Sequence, residues 1–122
     1  MVQELSYLTV ADNSGAKELM VIRIIGSTNK RYAYLGDEVM CSVKVAIPGG
    51  MVKKKDVVRV RIVRTRKEFR REDGSYVRFG DNAGVIVKKE DGEPIGTRLF
   101  GPVARELLSI NKKFGSLAQE VV

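Results

Sequence analysis

Between the Gly36-Asp37 pair and the Pro48-Gly49-Gly50 triplet lies a stretch that alternates without interruption, Val39, Cys41, Val43 and Val45 against Met40, Ser42 and Lys44. A period of two puts one set on each face of a half-exposed strand spanning Glu38 to Ala46. The triplet has to end it, because proline brings no ladder donor and paired glycines open backbone angles closed to other residues. The same punctuation recurs along the chain. Leu8 to Val10 stops at Ala11-Asp12-Asn13-Ser14-Gly15, and Lys17 to Ile25 ends in the polar loop Gly26 to Arg31. Val57 to Thr65 leads toward Glu72-Asp73-Gly74-Ser75, and Val85 to Lys88 runs into Asp91-Gly92-Glu93-Pro94. About five short strands with Gly and Asp corners predict a mainly β fold, a small five-stranded barrel whose closure removes exposed sheet edges.

Two of these strands carry more information than their length. In Lys17 to Ile25, Leu19, Val21 and Ile25 alternate with Met20, Ile22 and Ile24, so the strand reads as buried on both sides, with only Arg23 breaking the apolar run. In Val57 to Thr65 the pattern fails halfway: Val58, Val60 and Ile62 share a face with Arg64 and Arg66, while Arg59 and Arg61 share the other with Val63. A bulge would switch faces in this way, and so would a strand that leaves the barrel and runs on as an exposed arm. The second is favoured, because Arg66 to Arg71 has almost no apolar content beyond Phe69. With Asp73-Gly74 as a hairpin turn and Tyr76 to Phe79 as the return, the arm is a two-stranded basic ribbon over about residues 64–79. Its Phe69, Tyr76 and Phe79 either stack on bases or stiffen the ribbon by cross-strand packing.

Charge singles out the same region. Lys53 to Arg71 holds ten basic residues and two acidic ones, whereas the whole chain of 122 residues has a net charge of only +7. Cations so dense repel one another unless something outside neutralises them, which points to a polyanion held along one edge, although a solvated charged face is the plainer alternative. Lys30-Arg31 adds a phosphate contact or is simply solvated, and Gly49-Gly50 either admits a phosphate backbone or makes a tight bend.

The composition argues against catalysis. The chain has no histidine and a single cysteine, Cys41, so it lacks the commonest general base and the ligands of a zinc site. Cys41 stands in the alternating pattern as a small buried hydrophobe. Asp12, Asp37, Asp73, Asp81 and Asp91 sit in turn-like contexts. No cofactor and no small-molecule substrate are expected. No run approaches the roughly 18 apolar residues of a membrane span, and MVQELSYLTV lacks a basic leader, so a soluble, unprocessed chain is expected. The expectation is a single domain over residues 1–122, with a barrel over about 1–100 and a helical region over about 102–118. That helical region begins at Pro102, with Val103, Leu107 and Ile110 on one stripe, Ala104 and Leu108 widening it, and Phe114 to Ala118 forming a further turn. The last valines, Val121 and Val122, are expected to dock on the barrel.

With these residues placed, the chain resembles the family of the fourteenth protein of the large ribosomal subunit, in its bacterial or organellar form. The resemblance rests on Ala11-Asp12-Asn13-Ser14-Gly15-Ala16; on Ala46-Ile47-Pro48 through Val52-Lys53-Lys54; on Val63-Arg64-Thr65; on Asp73-Gly74-Ser75 with Phe79 and Asn82; and on Gly96-Thr97-Arg98 with Phe100-Gly101-Pro102-Val103 and Arg105-Glu106-Leu107. It spans essentially the whole chain. Lys55, Arg61, Glu68 and Glu72 depart from the usual pattern, as do Ile110 to Gly115 and Gln119.

The resemblance implies a five-stranded barrel with a C-terminal helical region, bound to large-subunit ribosomal RNA in the cytoplasm or in an organelle. It implies bridges to small-subunit RNA, neighbours similar to ribosomal proteins three and nineteen, and a face similar to that recognised by a ribosome-silencing factor. On this basis the RNA-contacting candidates are Lys44, Lys53, Lys54, Lys55, Arg59, Arg61, Arg64, Arg66, Lys67, Arg70, Arg71 and Arg78. Thr97, Arg98, Lys112 and Lys113 are the candidates for the subunit interface. The alternative is a free single-stranded nucleic-acid binder on an OB-type barrel, for which 7% aromatic residues and no Trp are few.

Overall fold

The computed structural model describes residues 2–26 and 31–122; Lys30, a candidate phosphate contact, lies outside them. Five strands close a barrel: β1 (Tyr7–Val10), β2 (Ala16–Ile24), β3 (Glu38–Ala46), β4 (Val57–Arg64) and, after a two-stranded hairpin of β5 (Phe69–Arg70) and β6 (Tyr76–Val77), β7 (Ala83–Val87). Neighbours pair antiparallel except where β1 meets β7 in parallel, Thr9 beside Ala83 and Val10 beside Gly84, and that pairing shuts the barrel. Leu8, Leu19, Val21, Val39, Cys41, Val43, Val60, Ile62 and Ile86 fill its interior. Burial pushes the Cys41 thiol up to about 12, as suits a packing residue. Gly84 faces this interior where a side chain would meet Val60, so β7 stays close to β4.

A second core lies outside the barrel. β7 is buried along its whole length, and Ala83, Val85 and Val87 turn outward to meet Leu99, Val103, Leu107 and Phe114. This cover consists of β8 (Pro102–Val103), a 3-10 helix (Arg105–Ser109), the short α1 (Lys113–Leu117) and β9 (Glu120–Val121), with β8 and β9 paired in parallel. The helix expected from Pro102 is therefore a strand at its start. Val122 N–H donates to Val103 O and Arg105 N–H to Val122 O, and this pairing with the tail holds Pro102–Val103 extended. Val103, Ala104 and Leu107 are buried, but Ile110 is exposed, because a 3-10 turn does not carry the stripe through to it. The tail docks through its backbone, and the side chains of Val121 and Val122 remain exposed.

Three strand expectations change as well. Ile22 is exposed: β2 slips register between Val21 and Arg23, so its second half turns over and the strand is covered on one face only. Val45 is 48% exposed although it shares parity with Val43, since β2 is irregular opposite it at Ala16 to Leu19. In β4 the change of face is made by a bulge, not by a strand leaving the barrel. Ile62 lies opposite Gly84 and Arg64 opposite Ala83, so the extra residue, Val63, turns into the second core.

Candidate RNA-binding face

The basic run divides into three parts along β4. Ahead of the strand, Lys53, Lys54 and Lys55 stand exposed on a tight turn. Asp56 holds it, accepting the Lys53 N–H at 2.9 Å, while Lys55 N–H donates to Val43 O at 2.8 Å. Lys55 adopts φ +77°, a left-handed backbone that favours glycine over a residue with a side chain. Left-handed backbone costs a side-chain-bearing residue about 1–2 kcal/mol, partly offset by the chain entropy that glycine would lose. Lys55→Gly is accordingly expected to stabilise the chain by about 0.5–1 kcal/mol in urea unfolding while weakening RNA binding by the loss of one cation.

Along the strand, Arg59 and Arg61 point outward and converge on Glu38. Arg59 Nε lies 2.7 Å from Glu38 Oε2 and Arg61 pairs with Oε1, while Arg61 also donates to Gly36 O at 2.7 Å. Glu38 sits directly opposite Arg61 across β3 and β4, which accounts for an arginine at this place in the strand. These two arginines are largely committed to the protein itself. Lys44, on β3, is half-buried with no partner among the described residues.

Beyond the strand, the arginines take two separate paths. Arg64 is 8% exposed and bound on every side: Nε meets Asp81 at 3.0 Å, and Nη1 donates to Phe100 O at 2.9 Å and Pro102 O at 3.1 Å. Gly101, at φ +74°, leaves room for that guanidinium where any side chain would strike it. Arg71 pairs with Glu106 and donates to Val122 O at 2.6 Å. The hairpin therefore lies against the C-terminal cover instead of standing free. Phe69 and Phe79 pack with Leu35, Val77 and Ala104, and of the three aromatics only Tyr76, 65% exposed, is largely open to solvent. Asp73 bonds to Ser75 in the turn, and this holds its carboxyl below the usual range.

Arg66, Lys67, Arg70 and Arg78 remain exposed on the hairpin. Arg66 Nε donates to Gly80 O at 3.1 Å, and Lys67 lies 3.5 Å from Glu68, whose carboxyl is lowered by its own backbone hydrogen bond and then by Lys67. Exposed cations thus occupy both ends of an eight-residue strand, roughly 23 Å apart at ~3.3 Å per residue. In the middle, Arg59 and Arg61 share Glu38 and Arg64 pairs with Asp81.

The other candidate face is built by the Ala11 to Gly15 turn. Asn13 Oδ1 accepts the backbone N–H groups of Thr97 at 2.9 Å and Arg98 at 3.2 Å, and its Nδ2 donates to Thr97 Oγ1 at 2.9 Å. Beside it Asp12, buried, accepts from Ser14 and from Ile86 N–H; burial raises its carboxyl despite these bonds. Lys113 bonds to Glu93 at 2.7 Å, which raises its ammonium pKa, and Leu99 N–H donates to Leu117 O. These ties set Lys112 and Lys113 on a segment next to the one that carries Thr97 and Arg98. Among the described residues no three His, Cys, Asp or Glu converge as a metal site would require, and no helix is long and apolar enough to cross a membrane.

A barrel with a clamped Asp12-Asn13 turn, an arginine threaded through Phe100-Gly101-Pro102 and cations at both ends of one strand joins motifs from the whole length of the chain. The family profile described as Ribosomal protein L14p/L23e matches residues 1–122. The chain belongs to the ribosomal protein L14p/L23e family. Membership in L14p/L23e gives it a structural, non-enzymatic role in the large ribosomal subunit and implies association with the RNA and proteins of that particle. Sequence reasoning grouped all the L14p/L23e arginines of the basic run as one RNA-facing set. It missed the acceptors Glu38, Asp81 and Glu106, of which only Glu38, in the adjacent strand, left a signal in the pattern.

Proposed function

We propose that the chain binds large-subunit ribosomal RNA through Lys53, Lys54 and Lys55 at one end of β4 and Arg66, Lys67, Arg70 and Arg78 at the other. Lys44 supplements them, and Arg59, Arg61, Arg64 and Arg71 support the surface from within. The observation that carries this reading is the separation of roles: Lys53, Lys54, Lys55, Arg66 and Arg70 are exposed with no carboxylate partner among the described residues, while Arg59 and Arg61 pair with Glu38, Arg64 with Asp81 and Arg71 with Glu106. Each phosphate these cations meet releases counterions. Changing Lys53, Lys54, Lys55, Arg66 and Arg70 to Gln is expected to leave the circular dichroism unchanged. The slope of log affinity against log salt should flatten by about 3.5–4.5 units, at ~0.7–0.9 per lost contact. An unchanged slope counts against the assignment.

Across the particle, Thr97 and Arg98, with Lys112 and Lys113, face small-subunit RNA and form an intersubunit bridge. Neighbours similar to ribosomal proteins three and nineteen, and a ribosome-silencing factor on the same face, complete the partners of a cytoplasmic or organellar ribosome. The Asn13 bonds support this part of the reading, because they fix the backbone of both residues from a separate turn. Asn13→Ala is expected to cost about 1–2 kcal/mol and to slow subunit joining while large subunits still assemble on sucrose gradients. Failure of assembly instead would show that this face is turned the other way. A free single-strand binder is disfavoured because Phe69 and Phe79 are spent on packing.

A further inference from the structure

A cleft of about 410 Å³ opens on the barrel wall, its lining running from Val52 and Val57, on either side of the Lys53 to Lys55 turn, to Ile86, Val87 and Ile95. Its lining includes Met40, Val57 and Ile95; among the described residues Arg23, Arg59 and Lys89 are the charged ones around it and none is acidic. Val57 is 60% exposed, an unusual state for a valine within a strand. Arg23 and Lys89 are exposed with no carboxylate partner among the described residues. Arg59 is fixed in place, with Glu38 at its Nε and its Nη1 donating to Lys89 O at 3.3 Å. A flat guanidinium held this way beside an apolar floor offers a stacking plane.

An apolar floor wants something flat and poorly hydrated, and a cationic rim without acids wants negative charge. One nucleotide has both, and 410 Å³ lies within the range of small-molecule sites. We propose that this cleft seats a single unpaired nucleotide of the bound RNA, its base against Met40, Val57 and Ile95 and its phosphate on the rim formed by Arg23 and Lys89. The proposal rests on the RNA-binding reading above and adds to it a place where a base, not only the backbone, is held. An acidic, apolar peptide segment is the competing occupant.

The chain has no tryptophan, so Val57→Trp would be its sole indole, placed in the lining of the cleft. Titrating that variant with a single-stranded oligoribonucleotide of about eight residues should quench the indole, and an abasic oligomer of equal length should not. Adding Arg23→Ala and Lys89→Ala should weaken the quenching titration about tenfold. Equal titrations by the two oligomers, or quenching untouched by Met40→Glu, would overturn the proposal. Fluorescence anisotropy of a labelled ribosomal RNA fragment reads the wider function separately. Binding there without base-dependent quenching removes only the nucleotide seat, whereas no binding in either assay removes the RNA-binding reading. If Val57→Trp fails to fold, ultraviolet cross-linking of the unsubstituted chain in large subunits decides. RNA joined to the tryptic segment 56–59, which carries Val57, supports the seat, and protein or nothing joined there sinks it.

Discussion

Arg64→Ala will lower the stability of this chain by about 3 kcal/mol, a drop in thermal midpoint of roughly 12 °C for a domain of this size. The substitution removes the donor to Phe100 O and Pro102 O, leaves those carbonyls without that partner, and strands Asp81 beside the gap. Arg64→Lys should recover little, because one ammonium cannot reach a carboxylate on one side and two carbonyls on another as a planar fork does. Urea unfolding of the purified variants measures both. Arg70→Ala is the counterpart: it should weaken RNA binding and leave the unfolding free energy within about 0.5 kcal/mol, since Arg70 is exposed and makes no ion pair among the described residues. If Arg64→Ala proves as stable as the parent but binds RNA poorly, Arg64 reaches out to phosphate and its internal bonds are incidental.

The second large effect belongs to Phe114. It is fully buried, the largest such side chain in the molecule, and stands on a helix of only five residues that could not persist on its own. Phe114→Ala should cost about 3–5 kcal/mol. The loss should appear first as hydrogen exchange in 99–122, while the amides of β2 and β3 remain protected, because Phe114 belongs to the cover and not to the barrel interior. Uniform loss of protection would mean that barrel and cover unfold as one unit.

The parts of this fold that were legible are those set by neighbours in sequence. β3 runs from Glu38 to Ala46 as its alternation requires, and the Asp73-Gly74 turn closes a hairpin with Gly74 at φ +87°. A change of face near Val63 was visible too, but whether a bulge or a departing strand produced it depended on Gly84 and Ala83, which lie some twenty residues further on. Pro102–Val103 followed the same logic. Its sequence permits a helix start, and only the distant Glu120–Val121 makes it a strand. For the candidate site, the identity and exposure of Lys53 to Lys55 were legible, whereas the fate of Arg64 and Arg71 was not. Charge runs announce cations but say nothing of carbonyls and carboxylates that arrive thirty-five or more positions later.

The parallel pairing of Thr9 with Ala83 and Val10 with Gly84 has a consequence for how the chain comes into being. On a translating ribosome, β1 to β4 can only form an open, curling sheet until β7 has emerged, and Arg64 must wait longer still for Phe100 and Pro102. For that interval the newborn polypeptide shows uncancelled arginines and a raw strand edge to a cell crowded with RNA. Completion of the last third of the chain is therefore what converts an adhesive intermediate into a selective component, and a helper that shields the intermediate should favour chains halted before residue 83 over finished ones.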